Sequence, residues 1–108
     1  MRESQSSGAL TETTFLVLLA LYQPNHGYGV MQYIEQETEG RVTLGPGTLY
    51  GAINTLLRKK WIAPFGPEDG RRKQYQITPL GKEQLQGEIA RIRQLYHSAS
   101  RIVEEGEQ

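Results

Sequence analysis

The C-terminal part of the chain limits the fold more than any other stretch. From Thr78-Pro79, a helix-start pair, to Glu105 only Gly81 and Gly87 interrupt a helical pattern, which predicts a rod of about 42 Å at about 1.5 Å per residue. Along it Leu85, Ile89, Ile92, Tyr96, Ala99 and Val103 alternate in steps of four and three, the two-per-heptad spacing with which helices of separate chains pair. The whole chain has 108 residues, enough for one domain with a single core that buries roughly 65% of its unfolded surface. It contains no cysteine, so disulfides, thiolate metal sites and cysteine nucleophiles are excluded.

Ahead of that rod lie three shorter helical patterns. Thr11 can cap a helix whose residues Thr14 to Tyr22 are apolar almost all round and must therefore be covered on more than one face. Pro24-Asn25-His26-Gly27 breaks it. Tyr28, Met31 and Ile34 with Val30 and Tyr33 then recur at helical spacing until Gly40. Arg41 to Leu44 alternates and reads as a small strand, after which Gly45-Pro46 opens a third helix. Its stripe of Leu49, Ala52, Ile53, Leu56 and Leu57 is amphipathic. The opposite face carries Gly47, Gly51, Asn54 and Arg58, flanked by Thr48, Tyr50, Thr55 and Lys59. Two strands, Trp61 to Phe65 and Lys73 to Ile77, read as a hairpin around Gly66-Pro67-Glu68-Asp69-Gly70, with Arg71 and Arg72 at its tip.

Twelve Lys and Arg balance twelve Asp and Glu, but they are segregated. Residues 1–40 hold one base against five acids, residues 41–73 seven bases against two acids, and residues 74–108 four against five. Such segregation concentrates a positive field on the third helix and the hairpin. Three helices, a short strand and a hairpin are the order of a winged helix-turn-helix, whose third helix enters the DNA major groove while the hairpin lies along the backbone. The expected fold is thus mainly α with a small β-hairpin: a polar, flexible tail over 1–9, a winged helix-turn-helix DNA-binding domain over 10–77 and a long C-terminal dimerisation helix over 78–105. Candidate DNA contacts are Gly47 and Gly51, which let the backbone approach; Thr48, Tyr50 and Asn54, which offer hydroxyl and amide groups; and Arg58, Lys59, Arg71, Arg72 and Lys73, which reach phosphates or base edges. Tyr50 also borders the apolar stripe, and packing with an exposed hydroxyl is an equal expectation, as an ordinary strand-face charge is for Lys73. Trp61 is expected to pack rather than stack on a ligand.

Together, Gly27-Tyr28-Gly29, Gly45-Pro46-Gly47-Thr48-Leu49-Tyr50, Lys60-Trp61-Ile62, Gly70-Arg71-Arg72-Lys73-Gln74-Tyr75 and Ile77-Thr78-Pro79-Leu80-Gly81 resemble the PadR-like transcriptional regulators, over about Leu10 to Val103. The length resembles the shorter subfamily with one C-terminal helix. Gly51 departs from the proline frequent after the family's Leu-Tyr pair, and Asn54 from a frequent basic residue. The resemblance implies a homodimeric repressor on operator double-stranded DNA, with each C-terminal helix packed against the partner's first helix. That adds Phe15, Leu18 and Leu19 to an interface formed by Leu85, Ile89, Ile92, Tyr96, Ala99 and Val103. It also implies release by a small aromatic or hydrophobic effector.

The alternative is a dimeric effector-binding or protein-interaction module without specific DNA binding, which the zero net charge permits. Enzymatic readings are poor: the one aspartate, Asp69, lies in a turn, and Gly45-Pro46-Gly47-Thr48 lacks the lysine-serine ending of a phosphate loop. No metal or other cofactor is expected, since His26 and His97 stand far apart in sequence without cysteines or paired carboxylates. The longest apolar run, Phe15 to Tyr22, is too short to span a membrane, no secretory signal is visible, and a cytoplasmic location is expected.

Overall fold

The computed structural model describes residues 8–67 and 72–107. Helix α1 covers Glu12–Ala20, with Thr11 as its cap: the Thr11 hydroxyl accepts the Thr14 N–H at 3.1 Å. A two-residue strand β1, Asn25–His26, leads into α2, Gly27–Glu37. Helix α3 spans Pro46–Arg58 with Pro46 in the first turn, where its missing N–H leaves no bond unmade. Strands β2, Ile62–Phe65, and β3, Gln74–Ile77, form the hairpin, and α4 runs Pro79–Gly106 behind the Thr78 cap, whose hydroxyl accepts the Gly81 N–H at 3.0 Å.

The sheet is antiparallel, with β3 between β1 and β2, and its registers pair Ile62 with Ile77, Pro64 with Tyr75 and Asn25 with Tyr75. The third strand is therefore not the Arg41–Leu44 segment expected from sequence. Thr38 explains the difference. Its hydroxyl donates to the Ile34 carbonyl at 2.8 Å and accepts the Val42 N–H at 3.1 Å, so the backbone after α2 is satisfied locally. Val42 and Leu44 pack against the core while Arg41 reaches back to Glu12. Sheet pairing falls instead to Asn25–His26, carried to β3 by the break after α1.

Both α2 and α3 end in reciprocal closing turns. After α3, the Trp61 N–H bonds the Leu56 carbonyl and the Lys60 N–H the Leu57 carbonyl, with Lys60 in the left-handed region at φ 64°. The Thr78 hydroxyl then donates to the Lys60 carbonyl at 2.7 Å and the Thr78 N–H to the Trp61 carbonyl at 2.9 Å, which ties the start of α4 to the start of the hairpin.

One core joins the four helices and the hairpin: Val17, Leu18 and Leu21 of the α1 region, Val30 and Ile34 of α2, Leu49, Ile53 and Leu56 of α3, Ile62, Tyr75 and Ile77 of the hairpin, and Leu85 of α4. The chain's own elements supply most of the cover that α1 needs; Phe15 and Leu19 alone of its large apolar residues stay partly exposed. On α4 the last buried residue is Glu88. Beyond it the helix runs past the domain, and the molecule measures 61 × 35 × 21 Å. Of the expected tail, residues 1–7 lie outside the described residues, while Gly8 and Ala9 are exposed.

Candidate nucleic-acid interface

The apolar stripe of α3 faces the core and so turns Gly47, Thr48, Gly51, Asn54 and Arg58 outward. A β-carbon built at Gly47 or Gly51 would meet nothing within 4 Å, so this face leaves the helix backbone open to approach. Arg58 is exposed and its guanidinium reaches Thr55 Oγ1 at 3.4 Å, which holds it along the helix end.

Two clefts connect this face to the hairpin. One, about 180 Å³, lies between Asn54 and Leu57 of α3 and Pro64, Phe65, Lys73 and Gln74 of the wing. The other, about 380 Å³, is lined by His26, Gly27, Tyr28, Tyr50, Arg72, Lys73 and Tyr75. Lys73 borders both. Among the described residues lining the two clefts there is no carboxylate, so the charge gathered here is positive.

Tyr50 packs as the apolar-stripe reading expects while keeping part of its surface open. It stands 45% exposed, yet its ring end lies against the Gly27 backbone so closely that a β-carbon at Gly27 would overlap its hydroxyl. His26, which the sequence does not single out as a metal ligand, is the α2 cap, with Nδ1 accepting the Gly29 N–H at 3.1 Å, and its Nε2 lies 3.1 Å from Arg72 Nη1. The signal available in sequence was its place directly before a glycine at a helix start, but histidine is not a favoured capping residue, so pattern alone did not single it out.

Lys59 is brought to the other flank of α3, where its ammonium sits 4.7 Å above the Trp61 ring beside a cleft lined by Leu10, Thr14, Gly51 and Thr55. Arg71 lies outside the described residues.

The expected interface residues separate into a buried and an exposed group, with Phe15 and Leu19 half-buried between them. Leu18 and Leu85 are buried in the protomer's own core at 0% and 2% exposure, which leaves them no surface for a second chain; they are corrections to the expected interface. Leu85 belongs to the heptad row, but the first turns of α4 use it to pack into the chain's own core. Ile89, Ile92, Tyr96, Ala99 and Val103 are exposed on the projecting half of α4, joined there by Leu95 and Ile102, which the strict seam omitted.

Glu88 is the buried charge of α4. Its carboxylate takes the Arg91 guanidinium, with Nε at 3.0 Å, and the Leu10 backbone; the Arg91 hydrogen bond, followed by Leu10 and the Arg91 charge, holds its pKa below the usual carboxylate value against the opposing effect of burial. Glu12 is lowered in the same sense by its hydrogen bond to Arg41. These pairs fasten the N-terminal segment to α4 and the loop after α2 to α1. Among the described residues no cluster of His, Cys, Asp or Glu could hold a metal ion, and no helix is long and apolar enough to cross a membrane.

The sequence profile of the Transcriptional regulator PadR-like family matches residues 15–87. A 37.1 kDa protein of transposon TN4556 from Streptomyces fradiae is 40% identical over 92 residues; the match covers 84% of this chain but 24% of that protein, so the chain spans about a quarter of this relative. The fold is shared with the crystal structure of a PadR family transcriptional regulator from Eggerthella lenta, at a TM-score of 0.71 and 22% identity over 85% of this chain and 81% of that one. It is shared also with Bacillus subtilis PadR, solved in complex with operator DNA, at a TM-score of 0.58 and 20% identity over 68% of this chain and 44% of that one.

Proposed function

Because the chain belongs to the PadR-like family of transcriptional regulators, a family of regulators and not of enzymes, we propose that it acts as a homodimeric repressor that seats one winged domain on each half of an inverted-repeat operator. The observation that carries this reading is how α3 and the wing open on common clefts: Tyr50 shares one with Arg72 and Lys73, and Asn54 shares the other with Lys73, with no carboxylate among the described lining residues. Residues 10–77 form the DNA-binding unit. Within it Gly47, Thr48, Gly51 and Asn54 face base edges, and Arg58, Arg71, Arg72 and Lys73 take phosphates. Lys59 serves phosphate only when released from Trp61.

The helix over 78–105 pairs the protomers. Its projecting half exposes Ile92 at 42%, Tyr96 at 68% and Val103 at 61%, a row of apolar groups that a second copy covers together with Phe15 and Leu19. A small aromatic or hydrophobic effector would enter beside Tyr96, between the paired helices, and the protein works in the cytoplasm.

The test is DNA binding across salt concentrations with Arg58→Gln, Arg72→Gln and Lys73→Gln. Each lost phosphate contact lowers the salt slope by about 0.9. Binding that is weakened with a shallower slope supports the reading. Binding unchanged by all three substitutions, or a wild-type protein that dimerises without binding DNA, favours a dimeric interaction module instead.

A further inference from the structure

The cleft between the start of α2 and the wing contains two donors aimed at one another. The Gly29 N–H donates to His26 Nδ1, so that nitrogen carries no proton, and the single proton of a neutral imidazole sits on Nε2. Nε2 lies 3.1 Å from Arg72 Nη1, which can only donate. The other tautomer would accept from Arg72 but would turn a ring N–H against the Gly29 N–H and undo the helix cap. An acceptor that bonds both Nε2–H and Nη1–H removes this conflict, and an anionic oxygen is the acceptor that suits a guanidinium best. The Tyr50 hydroxyl and Lys73 line the same cleft, and the start of α2 adds its partial positive charge.

We propose that this cleft seats one phosphodiester group of the DNA backbone, held by neutral His26 through Nε2–H together with Arg72, with Tyr50 and Lys73 at its rim. The seat rests on the DNA-binding reading above and adds a residue outside both the recognition helix and the wing. It fixes the register of the domain on the duplex without reading sequence, because its partner is a phosphate. It also couples the wing to α2, since Arg72 and the α2 cap meet on one imidazole.

His26→Asn isolates the role, because asparagine is a good helix cap but lacks the ring donor. On duplex DNA this variant should bind about tenfold more weakly, equally on operator and on unrelated sequence, with the salt slope unchanged because a neutral donor releases no counterion. Arg72→Gln should weaken binding and lower the slope by about 0.9 per protomer. His26→Asn that binds as wild type, or that changes the slope as Arg72→Gln does, overturns the proposal. Should wild-type protein bind no duplex at all, the DNA reading fails separately, and the seat is judged with inorganic phosphate. At about pH 8, where free imidazole is neutral, nitrogen NMR should show the protonated Nε2 resonance of His26 shifting with phosphate but not with chloride at equal ionic strength. A ring that responds to neither overturns the seat.

Discussion

Gly81 shows how one residue couples two elements. A β-carbon there would drive into the Trp61 carbonyl and the Ile77 side chain, so the first turn of α4 can lie on the hairpin only if position 81 has none. Gly81→Ala should destabilise the fold by about 1–3 kcal/mol, because backbone cannot step aside as a flexible side chain can; urea denaturation measures it, and an unchanged midpoint would refute the close approach. Lys60 is the converse case. It closes α3 at φ 64°, a conformation that a β-carbon disfavours by roughly 1–2 kcal/mol. Lys60→Gly should therefore raise the denaturation midpoint by an amount equivalent to about 0.5–1 kcal/mol. Thr78-Pro79 was legible in the sequence as a helix start; that Gly81 admits the Trp61 carbonyl was not, since the two positions are 20 residues apart and meet only through folding.

Among the elements, α4 divides sharply. Up to Glu88 it is a core helix; past Glu88 the large residues of its apolar row are exposed. Ile92→Glu should consequently leave the winged domain folded, as read by circular dichroism, while converting a dimer to monomers in sedimentation and reducing operator affinity through lost bivalency. A variant still dimeric would place the contact elsewhere. Glu88 sets a different dependence. Its carboxyl titrates lower in the folded protein than the usual value of about 4.3, so the stability it contributes is present above that pH and is lost as pH falls through the folded pKa. Glu88→Gln should flatten the fall in melting temperature below about pH 4.5, the range set by the ordinary carboxylate titration; an acid limb identical to wild type would show that the pair with Arg91 is energetically idle. At this scale the sequence showed the four helices and the hairpin clearly, because amphipathic periodicity and capping residues are local signals. It misassigned Arg41–Leu44, because alternation says nothing about whether Thr38 or a neighbouring strand satisfies the backbone.

For the whole molecule, net neutrality conceals a separation of charge, with the bases of α3 and the wing set apart from the acids of the first two helices and of α4. If each protomer of a dimer presents its α3 to the same face of DNA, half-site centres should fall about 34–36 Å apart or a multiple of it. Footprinting checks this, and a single asymmetric contact would contradict a symmetric pair. The residue order alone determined the kinds of elements, the apolar stripe of α3, the basic middle segment and the heptad row of α4, since each depends on neighbours within a few turns of chain. Tertiary packing decided the rest: which strand completes the sheet, that Leu18 and Leu85 belong to the protomer's core, that Lys59 turns to Trp61, and that His26 meets Arg72. The reason is geometric, because a side chain's partner across the fold depends on where the backbone carries both residues, and no local periodicity contains that information.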